Sequence, residues 1–215
     1  MARIVLILRP DRGGAFNHVV QLADALTRRD HDVFVLGPHS DRSDEINAEV
    51  VELGIGREIS PTSDLRAVGT FARTVKRLNV DLIHAHGSKA GVVARVARMA
   101  NPRVPLVFTP HLYAFDNYFA RPTQRRAYRF IERVLAPAAT RVIGVCESER
   151  RLAASIGPAG RTRTVHNGVE PVSLDSIHPA VAALRGDGPL ICTVAELRES
   201  KGVLTLVDAM ATLHD

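Results

Sequence analysis

The residues able to do chemistry gather at the ends of short apolar runs. Residues 4–8 are five apolar residues in succession, followed by Pro10 and the pair Gly13-Gly14. Residues 81–85 run into His84-Ala85-His86-Gly87-Ser88, residues 106–109 into Pro110-His111, and residues 163–165 into His166-Asn167-Gly168. A glycine turn between a strand and a helix aims backbone N–H groups at an anion, and glycine has no Cβ to hold a ligand away. The same pair serves equally as a tight turn. It lacks Gly-x-Gly-x-x-Gly and the Gly-Lys-Ser/Thr of a P-loop, so a nicotinamide or flavin dinucleotide is not indicated. His84 and His86 stand two apart on a strand end and point the same way. With no Cys, Asp or third His placed to complete a metal set, they read as structural or loop histidines.

These groups need elements to hold them. Strand-like runs fall at 4–8, 32–37, 50–55, 81–85, 106–109, 140–145 and 163–165. Helical spacing fills the intervals: Val19, Val20, Leu22, Ala23 and Leu26; then Leu65, Val68, Ala72, Val75 and Leu78; then 89–100, 122–135 and 147–156. Thr62 or Ser63 reads as the N-cap of the second helix, and Pro122 suits the first turn of the fourth. Alternating strands and helices predict an α/β fold, a Rossmann-like parallel sheet with helices on both faces. Ligands in such folds bind beyond the carboxyl ends of the strands, where the glycines and histidines lie.

After Asn167-Gly168 the composition turns to Pro, Gly, Ser and Asp. Residues 1–166 read as one domain, 167–188 as a linker, and 189–215 as a strand (189–194) and helix opening a second, incomplete domain. One strand and one helix cannot bury both apolar faces alone.

The chain has 215 residues, 46% of them apolar, and a net charge of +5. No apolar run is long enough for a membrane span, and the N-terminus enters a strand without a signal-peptide layout. Cys146 and Cys192 lie far apart beside apolar runs, so both read as small buried residues in a reducing compartment. The positive charge is spread over several helices with no nucleic-acid motif, so nucleic acid is not an expected partner.

The chain resembles the N-terminal, acceptor-side half of GT-B glycosyltransferases of the family-4 kind. The resemblance rests on Gly13-Gly14 with Asn17-His18, on Asp81-Leu-Ile-His-Ala-His-Gly87, and on Phe108-Thr-Pro-His111. Val145-Cys-Glu-Ser148, Val165-His-Asn-Gly-Val169 and Lys201-Gly202 complete it. It implies transfer of a sugar from a nucleotide-sugar donor to an acceptor hydroxyl with retention. It implies Gly13, Gly14 and Lys201 at the donor phosphates, and His111 as the catalytic residue beside the transferred sugar. Asn17, His86, Tyr113 and Asp116 become acceptor-binding candidates, with a sugar, lipid-linked or small-molecule acceptor. No metal or other cofactor is implied. Glu196 stands where the family usually has an arginine facing the diphosphate. The family's paired glutamates are absent, so the chain alone is expected to be inactive without a C-terminal donor lobe, on a longer chain or in trans. The alternative is a non-catalytic glycosyltransferase-like binding or partner domain.

Some residues keep two readings. The aromatics between Tyr113 and Phe119 either line an acceptor pocket or pack a long loop. Asp116 is a possible base or sugar-hydroxyl partner. Arg121, Arg125, Arg129 and Arg133 fall four apart, widened by Arg126, with Ala127, Phe130, Ile131 and Val134 opposite. The stripe is either a solvated face or a contact for anionic lipid headgroups, through Arg121, Arg125 and Arg129. The expected location is cytoplasmic, or peripheral on the inner face of the cell membrane.

Overall fold

A computed structural model describes residues 1–56, 60–116, 120–169, 177–185, 190–195, 197 and 199–212. They fall into two units, Met1–Gly168 and Val169–Asp215. In the first, strand β1 (Arg3–Leu8) is apolar from Ile4 onward because both its faces are covered. Ile4, Leu6 and Leu8 pack on one face with Phe16, Val19 and Ala23. Val5 and Ile7 pack on the other with Phe71, Val93 and Ala94. Helix α1 (Gly14–Thr27) covers the first face; α2 (Pro61–Arg77), α3 (Ser88–Met99) and α5 (Glu147–Ile156) contribute to the second.

The other strands are β2 (Asp32–Gly37), β3 (Glu49–Glu52), β4 (Leu82–His86), β5 (Leu106–Thr109), β6 (Arg141–Gly144) and β7 (Thr162–Thr164). All pair in parallel, in the order β3-β2-β1-β4-β5-β6-β7. This is the Rossmann-like α/β sheet that the alternation predicts. Chain direction across the sheet reverses between β1 and β4, and the crevice above such a point is where these folds bind ligands.

Several local expectations are corrected. Helix α2 begins at Pro61, with Ser60 as N-cap in place of Thr62 or Ser63. Proline suits that first position, and the Asp64 carboxylate accepts from the Ser60 N–H at 3.2 Å. Neither cysteine is buried. Cys146 caps α5 beyond the end of β6, and Cys192 lies in a stretch, 190–195, that forms no strand. A strand there needs a partner for its backbone groups, and the second unit has none among its described residues. That unit contains α6 (Pro179–Arg185), inside the expected linker, and α7 (Val203–Ala211) after Gly202 at φ 65°.

Helix α4 (Pro122–Leu135) is turned differently from the sequence pattern. Phe130 and Val134 are 69% and 59% exposed, while Glu132 is buried. The cause is Arg95 on α3, itself buried, whose Nη1 lies 2.8 Å from Glu132 Oε2 and whose guanidinium sits over the Phe108 ring at 4.2 Å. An unpaired charge there would be costly, so α4 turns a carboxylate inward in place of an apolar residue.

Close packing explains Gly91 in the middle of α3. A Cβ at this position would meet Phe108 Cε2 at 2.3 Å, and Phe108 is itself buried in the core. Gly91→Ala is expected to destabilise the first unit by about 1–3 kcal/mol, despite alanine's better helix propensity. Urea unfolding of the two proteins measures this; equal midpoints would contradict the packing account.

Candidate functional site

The site is built from the carboxyl ends of β1, β4, β5 and β6. After β1, Gly13 caps α1 at φ 85°, a backbone that a side chain would strain. After β5 the chain turns through two residues of positive φ, His111 at 48° and Leu112 at 88°. Glu149, in the first turns of α5, holds this turn. Its Oε1 accepts from Leu112 N–H at 2.6 Å and its Oε2 from Val145 N–H at 2.7 Å. The carboxylate thus ties the end of β5 to the end of β6.

Between these ends lies a cleft of about 760 Å³. Gly14, His111, Tyr113 and Asp116 line it, with Glu149 and Asn167. Of the expected donor-phosphate residues, Gly14 is in the wall and Gly13 adjoins it. Lys201 is exposed, in a turn of the second unit, and Glu196 lies outside the described residues. Of the expected acceptor contacts, Tyr113 and Asp116 reach the cleft; Asn17 and His86 do not line it. Asn17 is exposed on α1, and His86 is wholly buried at the end of β4.

Tyr113 is chiefly a packing residue. It is 2% exposed, lies edge-on to Phe108, and stacks on Phe115 with ring centroids 4.9 Å apart. Burial pushes its hydroxyl pKa up, helped by Glu132. Tyr118 and Phe119 lie outside the described residues. A second cavity of about 280 Å³ is lined by Phe115, Asp116, Arg125, Arg126, Arg129 and Leu152. Asp116 and Leu152 also belong to the wall of the cleft. Arg121 lines neither cavity.

Four histidines form a cluster beside the cleft. His84 Nε2 lies 2.8 Å from Thr109 Oγ1, and the His84 and His86 rings are 4.0 Å apart. His86 Nδ1 and His111 Nε2 share a hydrogen bond of 3.1 Å. His18, from α1, approaches both, with centroids 5.5 Å from His86 and 5.1 Å from His111. Burial lowers every one of these pKa values, and neighbouring rings lower those of His84, His86 and His111 further. His84 falls to about 3 and His111 to about 4; His86 and His18 are also lowered. All four are neutral at pH 7, and His86 Nε2 is buried with no hydrogen-bond partner among the described residues.

The structure supplies the third histidine that the sequence pattern lacked. One nitrogen from each of His18, His86 and His111 lies within 4.8 Å of the others. The set uses His86 with two residues from separate segments, in place of the His84–His86 pair. Three neutral imidazoles of this kind could hold a divalent transition metal. Glu149 and His18 are the residues that sequence reasoning missed. Glu149 left one signal, a second carboxylate two residues after Glu147 at the start of a helix. His18 stood beside Asn17 among the residues that carry the resemblance, with no role of its own assigned.

Comparison with known proteins agrees with this fold. The family model of the glycosyl transferase 4-like domain matches residues 13–168. The chain belongs to this glycosyltransferase family. Among curated relatives, an Escherichia coli UDP-Gal:alpha-D-GlcNAc-diphosphoundecaprenol alpha-1,3-galactosyltransferase is 26% identical over 176 residues, 80% of this chain and 43% of the relative. An uncharacterised 41.2 kDa protein from the cps region of Klebsiella pneumoniae is 29% identical over 119 residues, 53% of this chain and 32% of the relative. The chain thus spans less than half the length of the curated relatives it matches. Among solved structures, Anabaena HepE in complex with UDP and glucose aligns with a TM-score of 0.73 at 21% identity, over 99% of this chain and 58% of that one. Sucrose-phosphate synthase from Thermosynechococcus elongatus aligns at 0.74 and 21%, over 99% and 60%. These likenesses place the fold among GT-B glycosyltransferases. No helix among the described residues is long and apolar enough to cross a membrane.

The buried histidines make stability depend on pH. Unfolded, each titrates near the ordinary 6.5; folded, each stays neutral to a lower pH. Below pH 6.5 the unfolded chain therefore binds more protons, and stability falls as pH falls. For a fully buried ring such as His86 the loss between pH 7 and pH 5 is about 2 kcal/mol. Urea unfolding at both pH values, with a chelator present, should show His86→Gln losing about 2 kcal/mol less than wild type. Identical pH slopes would mean that His86 is charged or exposed in solution.

Proposed function

We propose that this chain is the acceptor-side half of a retaining glycosyltransferase that moves a sugar from a nucleotide sugar to a hydroxyl of a lipid-linked acceptor. The observation that carries the reading is the cleft at the carboxyl ends of the strands, with His111 held in its wall by Glu149 and flanked by Gly14 and Asp116. The named relatives support its terms. The Escherichia coli relative carries UDP-Gal and a diphosphoundecaprenol-linked sugar in its name. HepE has been crystallised with UDP-glucose.

Transfer must stabilise a departing diphosphate and a sugar with cationic character while an acceptor hydroxyl loses a proton. Gly13, Gly14 and the start of α1 offer backbone N–H groups to the diphosphate. His111 is neutral and its Nε2 is engaged by His86, so Nδ1 is the nitrogen left to bond the transferred sugar. A carboxylate such as Asp116 can accept from an acceptor hydroxyl. Lys201 would neutralise diphosphate charge once a complete donor lobe is present. The chemistry asks for no metal, and turnover should survive a chelator.

The test is transfer from UDP-sugars, by the 215-residue chain and by the chain supplied with a donor lobe. The chain alone should turn over no donor. With the lobe present, His111→Ala should lower kcat more than tenfold, a loss above about 1.4 kcal/mol of transition-state stabilisation. Absence of both nucleotide binding and turnover with any lobe would leave a partner domain in place of an enzyme.

A lipid-linked acceptor calls for a membrane surface, and the outward face of α4 suits one. Arg126, Arg133, Phe130 and Val134 are all exposed on it. Each basic residue near an anionic surface contributes about 1 kcal/mol. The chain should sediment with phosphatidylglycerol vesicles at low salt and not with phosphatidylcholine vesicles. Phe130→Ser with Arg133→Glu should release it; undiminished sedimentation of that variant would remove α4 from the contact.

A further inference from the structure

The arginine-lined cavity beside the cleft has no place in the transfer chemistry described above. We infer that it is a diphosphate site, which holds the anionic link of a lipid-linked acceptor while the acceptor sugar lies in the cleft.

Three observations point to this ligand. Arg125, Arg126 and Arg129 line one cavity of about 280 Å³, room for a diphosphate. None of the three is in an ion pair among the described residues, so their charge is unspent. Two of them are held in place. Arg125 Nε donates to the Phe115 carbonyl at 3.0 Å, which leaves its terminal N–H groups for a ligand, and the Arg129 guanidinium lies 5.8 Å over the Phe115 ring. Guanidinium groups are suited to phosphate because their paired N–H groups match its oxygens.

The cavity's place gives the ligand its class. It shares Asp116 and Leu152 with the cleft that holds His111. A molecule with its sugar in the cleft and a diphosphate next to that sugar would occupy both. Among the described residues Asp116 is the one acidic group in the wall of this cavity and would repel a diphosphate set against it; at the shared boundary it accepts a sugar hydroxyl. On the same helix Phe130 and Val134 are exposed, which gives an apolar exit for a prenyl chain.

This rests on the glycosyl-transfer reading for the position of the sugar. The diphosphate contact is tested apart from it, without donor or turnover. Farnesyl diphosphate is titrated into the chain by calorimetry at low salt. Inorganic phosphate and phosphatidylglycerol vesicles form the other arms. Wild type should bind farnesyl diphosphate at least tenfold more tightly than phosphate. Arg125→Gln with Arg129→Gln should weaken it at least tenfold, while Arg133→Gln, on the same helix but outside the cavity lining, keeps the diphosphate affinity within twofold. If the double glutamine variant loses its circular dichroism spectrum, the exposed single variant Arg126→Gln replaces it, with a loss of threefold or more expected. Equal affinity in wild type and variant overturns the site, as does equal affinity for phosphate. Vesicle binding that depends on Arg125 and Arg129, without farnesyl diphosphate binding, would make this a headgroup surface and overturn it as well. Failure of UDP-sugar turnover with diphosphate binding intact would sink the transfer reading alone.

Discussion

Glu149 accepts hydrogen bonds from two backbone amides on different segments, Leu112 and Val145, at 2.6 and 2.7 Å. It joins the turn after β5 to the end of β6, alongside the bond from Ala114 N–H to Ser88 Oγ at 3.2 Å within that turn. His111 and Leu112 both have positive φ, and such backbone costs about 1–2 kcal/mol per residue for a side chain other than glycine. A hydrogen bond to a charged group contributes about 1.5–3 kcal/mol. The two bonds therefore roughly offset the two strained residues. What the arrangement secures is position. His111 sits in the wall of the cleft because a buried carboxylate on α5 fixes the backbone of the next residue, Leu112, and ties it to the end of β6. The start of α5 is fixed at the same time, since Val145 precedes its N-cap.

The histidine cluster has a related logic. His86 is fully buried where a parallel sheet ordinarily places an apolar residue, and one of its nitrogens has no partner among the described residues. It is tolerable because it stays neutral, and it stays neutral because burial and its neighbours both oppose a proton. In return, its Nδ1 orients His111 through a single hydrogen bond. Position at His111 is thus set twice, by Glu149 through the backbone and by His86 through the ring. Both supports use polar groups that weaken the core for the sake of the site.

Much of the first unit was legible because its strands and helices announce themselves by period. The run at 4–8 is apolar on both faces, and both faces are covered. Helix bounds at 122–135 and 147–156 agree with α4 and α5 because Pro122 opens one and the strand end at Cys146 precedes the other. What period cannot show is pairing between distant segments. His18 meets His86 and His111 only because β1, β4 and β5 bring their ends together in the sheet. Glu149 reads as a surface acid until the turn at Leu112 folds onto it. The run at 190–195 illustrates the converse. Its residues favour a strand, but β-structure requires a neighbour, and local preference gives way where none is paired.

Helix α4 shows how a buried charge decides an exposed face. A helix with Phe130, Ile131 and Val134 in sequence would ordinarily turn that stripe inward. Arg95 changes the outcome, because a guanidinium buried against Phe108 needs a carboxylate more than the core needs another phenylalanine. Once Glu132 faces Arg95, the rotation of the helix is fixed at 100° per residue, and every other position follows. Arg125 and Arg129 come to flank Phe115 beside the cleft, while Phe130 and Val134 turn to solvent. The cationic cavity and the apolar outer face are therefore not independent features. Both follow from one ion pair between α3 and α4, so the orientation of any ligand spanning cleft, cavity and outer face would be set from inside the core.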